Sequence, residues 1–93
     1  MGYTKDSAVE SARKDLAKRL GVKEGDISVL STVEKDFPDM SLGSPTKGEM
    51  SAQMISSGWQ INLAADGKTY DYRADKYQLR LHNFNGANYV IGS

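Results

Sequence analysis

Asp66-Gly67 sits between two runs of alternating apolar and polar residues, and this arrangement constrains the fold more than any other feature of the chain. Aspartate followed by glycine supplies the two positive φ angles of a tight turn whose twist matches the strands it joins. An antiparallel hairpin follows from it. Trp59, Ile61 and Leu63 fall on one face of the first strand against Gln60 and Asn62, and Tyr70 and Tyr72 on one face of the second against Asp71 and Arg73. The strands span about 52–64 and 68–73, and Ser56-Ser57-Gly58 suggests a bulge in the first.

The pattern continues on both sides. Ala74-Asp75-Lys76 is a second turn, leading to a strand over 77–82 with Tyr77, Leu79 and Leu81 opposed to Gln78, Arg80 and His82. A turn around Asn85-Gly86 then leads to Tyr89-Val90-Ile91, short enough for a frayed edge strand over 88–91 or an ordered tail. Upstream, Val9, Ala12, Leu16 and Leu20 recur every three or four residues, which predicts a helix over about 6–20. Ser7 with Glu10 fits a capping box, Asp6 is the other candidate cap, and Gly21 suits the left-handed position at the end. Ile27, Val29 and Val33 alternate in a strand over 27–34, onto whose apolar face the helix is expected to pack. One helix followed by a four- or five-stranded antiparallel meander is an α+β layer in one domain over 1–93, a length that buries one modest core without staples.

Between the first two strands lies a long irregular loop, residues 36–50, with two prolines, two glycines and the apolar Phe37, Met40 and Leu42. Compact domains rarely keep such loops without a use. Phe37, Pro38 and Pro45 are read as anchors of this loop on the body, and Met40, Ser41, Leu42, Gly43 and Ser44 as residues presented to a partner.

Twelve basic and twelve acidic side chains cancel, so no global field concentrates nucleic acid or an anionic bilayer. There is no cysteine, hence no disulfide, thiolate nucleophile or thiolate metal site. No segment approaches a membrane span, and the first six residues carry no apolar run of signal-peptide length. His82, the single histidine, reads as an ordinary strand-surface residue rather than a metal ligand. Ser41, Ser44, Ser56 and Ser57 have only that distant histidine as a base, and turn chemistry accounts for them better than catalysis. Asp36 and Asp39 could form a carboxylate pair, but aspartate beside proline usually bonds its own backbone. No glycine spacing cradles a phosphate. Neither a metal nor a cofactor is expected, and no nucleophile, base and orienting group assemble into an enzyme.

The segments Asp15 to Val22, Ile27-Ser28-Val29, Phe37 to Pro45, Gly58-Trp59-Gln60-Ile61 and Gly67 to Tyr72 together resemble a group of small, mostly exported bacterial domains of unassigned function. That group usually carries a loop of aromatic, Pro-Asp, a small residue and Ser-Leu-Gly-Cys-Pro, followed by Gly-Tyr-x-Ile and Gly-x-x-Tyr-x-Tyr-His. The likeness covers roughly residues 8–73, and the order of elements is also similar to PepSY domains. Ser44 stands in place of the usual cysteine and Arg73 in place of the usual histidine, so neither a loop disulfide nor a histidine site carries over. The resemblance implies an exported, loop-bearing domain, with inhibition of a peptidase or peptide binding by analogy.

The resulting expectation is a monomeric, non-enzymatic module whose loop contacts another protein or a peptide, without nucleic acid or membrane. Trp59, Tyr70, Tyr72 and Tyr77 are read as core beneath the helix; were they exposed, a small-molecule or glycan platform would be the rival, and a structural accessory domain is the third reading.

Overall fold

The computed structural model describes residues 2–92. A helix α1 (Lys5–Leu20) and a 3-10 turn (Glu24–Asp26) precede five strands: β1 (Ser28–Phe37), β2 (Ser56–Ala65), β3 (Lys68–Ala74), β4 (Leu79–Phe84) and β5 (Ala87–Gly92). The strands form one antiparallel sheet in the order β1-β2-β3-β4-β5, the predicted meander with all five strands present. No described helix is long and apolar enough to cross a membrane.

The helix starts earlier than the spacing suggests. Thr4 is the cap: its hydroxyl accepts from the Ser7 amide at 3.1 Å while Ser7 Oγ accepts from the Thr4 amide at 2.9 Å. Ser7 therefore closes the box from inside the first turn, and Glu10 is free to pair with Lys14 at 3.1 Å. Gly21, at φ 68°, ends the helix as expected. The β2–β3 hairpin turns on Asp66 (φ 51°) and Gly67 (φ 75°), and β4–β5 on Asn85 and Gly86 in the same manner.

Ala8, Ala12 and Leu16 of α1 are fully buried against Ile61, Leu63, Tyr72, Leu79 and Leu81, with Trp59 and Tyr70 packed at the margin. Small alanines let the helix approach closely, and the larger leucines and the tyrosine ring fill the space between. Tyr77 does not join this row. It lies in the turn before β4, 63% exposed.

The expected apolar face of β1 does not exist. Val29 pairs with Leu63 on the helix side, but an irregularity between Val29 and Ser31 inserts one residue, so that Val33 pairs with Gln60 on the other face. Both valines are exposed, and of that trio only Ile27 reaches the core. The bulge thus belongs to β1, whereas Ser56-Ser57-Gly58 runs straight in β2. Gly58 is required there for closeness: a Cβ would stand 2.0 Å from the Ala74 carbonyl oxygen. β2 also begins at Ser56, opposite Phe37, because β1 ends there and residues 52–55 have no strand to pair with.

The sheet face turned away from the helix carries Ser31, Gln60, Asn62, Asp71, Arg73, Arg80 and His82. The long loop folds back across it.

Candidate functional site

The loop is fixed to the sheet at several points between Phe37 and Glu49. Phe37, at the end of β1, is buried, and the Asp39 carboxylate two residues on organises the next turn. Its Oδ1 accepts from the Ser41 amide (2.9 Å), the Ser41 hydroxyl (2.6 Å) and the Gly43 amide (3.1 Å). These bonds, the Ser41 hydroxyl foremost, hold the Asp39 carboxyl below its ordinary pKa. The tight turn drives both Leu42 (φ 59°) and Gly43 (φ 67°) into the left-handed region, a strained position for leucine that its complete burial offsets.

Three strand side chains then hold the turn. Arg73 Nη1 donates to the Leu42 carbonyl at 3.0 Å, and Gln78 Nε2 donates to the Met40 carbonyl. Arg80, 5% exposed, grips Glu49 with a two-toothed fork at 2.6 and 2.7 Å and donates to the Ser44 carbonyl at 3.1 Å. Arg80 lowers the Glu49 pKa to about 2. Asn88 of β5 reaches the Pro45 carbonyl at 2.8 Å, so the loop spans the sheet to its far edge.

Ser44 Oγ lies 2.8 Å from His82 Nδ1, a pairing that brings together two residues read as distant. Burial first, and then the Arg73 charge, lower the His82 pKa, which favours the neutral ring, and its tautomer sets which of Nδ1 and the serine hydroxyl donates. Asp71 stands opposite His82 across the β3–β4 ladder, yet it is engaged by Arg73 at 3.0 Å. The trio does not make a nucleophile. Ser44 is completely buried under its own loop, where no substrate carbonyl can approach it.

The structure therefore corrects the expectation of a displayed tip. Ser41, Leu42 and Ser44 are buried, Met40 and Gly43 are half-buried, and Pro38 and Pro45 are exposed. Asp36 and Asp39 form no carboxylate pair, since Asp36 accepts from Ser57 Oγ at 2.7 Å instead. Among the described residues no group of three or more histidine and carboxylate side chains is placed to hold a metal.

The apolar side chains left most exposed cluster at the loop's return arm, while Val29, Leu30 and Val33 on β1 and Tyr89 and Val90 on β5 are exposed to a lesser degree. Met50 is 96% exposed, Ile55 73% and Met54 63%; with Met40, Trp59 and Tyr77, the last two surround a groove of about 450 Å³. A second groove of about 340 Å³, lined by Glu34, Lys35, Asp36, Ser57, Gly58 and Trp59, adjoins it, Ser57 and Trp59 being common to both. Met54 and Ile55 read as ordinary strand residues in sequence; they are exposed because β1 stops short of them.

No curated protein matches the chain, and no solved structure does. Over residues 9–82 it matches the family described as a domain of unknown function, DUF8738, and the chain belongs to that family.

Proposed function

We propose that this domain is a non-enzymatic binding module that takes a peptide segment of another protein in the joined groove over Trp59. The observation that carries this reading is the groove in whose wall Met40, Met54, Ile55, Trp59 and Tyr77 stand together, with Asp75 and Lys76 at its margin. Exposed apolar patches with polar rims mark interaction sites, and flexible methionines adapt to different side chains. The clamped loop supports this role indirectly, as a scaffold that fixes Met40 and the chain returning through Met54. Inhibition of a peptidase through the loop tip draws no support from a tip that is buried. A glycan platform of strand aromatics draws none from a row in which Tyr72 is core.

The test uses short peptides selected from a random displayed library against the domain. Trp59 is the single tryptophan, so its fluorescence reports occupancy of the groove directly. Selected peptides should shift that emission and bind Met54→Ser/Ile55→Ser at least about tenfold more weakly, the loss of two apolar contacts. Peptides that bind the variant equally well, or a library that yields none, would exclude the groove.

A further inference from the structure

The geometry points to a basic side chain, lysine or arginine, as the second anchor of the segment held over Trp59, beside an apolar one seated among Met40, Met54, Ile55 and Tyr77; this rests on the binding role proposed above. The charge of the groove is segregated by strand alternation. Glu34 pairs with Trp59 and Asp36 with Ser57, which places both carboxylates on the face that carries the indole. Lys35, between them in sequence, also borders the groove, but strand alternation turns its side chain to the opposite face, where its Nζ lies 5.7 Å over the Phe37 ring. Lys76 lies at the far, apolar end, its Nζ 5.1 Å over the Tyr77 ring.

Among the described residues neither Glu34 nor Asp36 takes part in an ion pair, and Asp36 accepts only a neutral hydroxyl from Ser57. A wholly apolar segment would cover these carboxylates without a partner, at a desolvation cost, and an acidic one would be repelled. A cation over the indole face meets both carboxylates and the ring quadrupole together. The two adjoining cavities therefore differ in chemistry, one apolar and one anionic with an aromatic wall, and a single extended segment can fill both.

Sequencing the selected library peptides and measuring synthetic copies by Trp59 fluorescence tests this. Enrichment of an apolar residue with lysine or arginine at a nearby position is expected, and replacing that lysine or arginine by glutamine should weaken binding about tenfold. Glu34→Gln with Asp36→Asn should cause a similar loss for the basic peptide and none for its glutamine version; both sites are exposed, and circular dichroism checks that the variant folds. Glu34→Lys with Asp36→Lys should turn selection toward acidic peptides. Groove-dependent peptides that are uniformly apolar, or whose basic residue can be replaced without effect, would overturn the cation anchor while leaving the groove reading intact. Peptides indifferent to Met54→Ser/Ile55→Ser would overturn both.

Discussion

The Tyr72 hydroxyl donates to Asp15 Oδ2 at 2.7 Å, joining the centre of the sheet to the middle of the helix. The same oxygen accepts from Arg19 Nε at 2.7 Å, and that guanidinium lies 4.5 Å over the Tyr89 ring and 5.5 Å over Phe84. Burial and the adjacent carboxylate raise the Tyr72 pKa, so the phenol keeps its proton and remains the donor. One carboxylate thus ties α1 to β3 and, through Arg19, to the two final strands.

Tyr72→Phe should cost about 1.5 to 3 kcal/mol, the value of a hydrogen bond to a charged group. Asp15→Ala should cost at least as much, because it leaves a buried hydroxyl without an acceptor and Arg19 without its counter-ion. Urea denaturation measures both. An unchanged midpoint for Asp15→Ala would contradict the link.

Leu42→Ala should destabilise by about 2 to 5 kcal/mol, the range for truncating a buried leucine. Met50→Ala, almost fully exposed in the same loop, should stay within about 0.5 kcal/mol. Equal thermal melts for the two variants would mean that Leu42 is not packed.

The turn and helix signals were legible because each is local: a two-residue turn, a capping glycine, a repeat of three and four. Asp66-Gly67 and Asn85-Gly86 fix their dihedrals whatever surrounds them. The face of β1 was not legible, since one inserted residue at Leu30 separates Val29 from Val33 and nothing in the sequence marks it. The loop tip misleads for a related reason. Its burial depends on Arg73 with Leu42 and on Arg80 with Glu49, each pair 31 residues apart, a separation that no periodicity reports. One signal was available: alternation places Arg80 and His82 opposite Leu79 and Leu81, on a face that an apolar loop could cover.

Arg80→Ala should cost about 3 to 5 kcal/mol, since it strips a nearly buried cation from Glu49 and the Ser44 carbonyl. Arg80→Lys should recover little, because an ammonium cannot form the fork. Limited trypsin cleavage at the exposed Lys47 should accelerate in both variants. Wild-type cleavage rates would show that the clamp does not hold the loop.

Acid should loosen the loop in two stages. His82 has a lowered pKa in the folded state, so the unfolded chain binds its proton first, and stability is lost as pH falls from the ordinary value of 6.5 through the folded one. Glu49 follows the same sign lower down: its contribution is present above 4.5 and is lost as pH falls toward about 2, with Asp39 adding to that stage. His82→Gln should remove the first stage and Glu49→Gln most of the second, as read from melting temperature against pH. A flat profile between pH 7 and 3 would contradict the assignment.

Native-state amide hydrogen exchange by NMR tests most directly the central claim, that the loop is a clamped scaffold and the open surface lies at its return arm. The Ser41 and Gly43 amides, bonded to Asp39, and the Ser44 amide, bonded to the Ser41 carbonyl at 3.0 Å, should exchange as slowly as the central β2 and β3 amides. Those of Met50, Met54 and Ile55 should exchange within the dead time. Fast exchange at Ser41 to Ser44, matching that of Met54 and Ile55, would contradict the account.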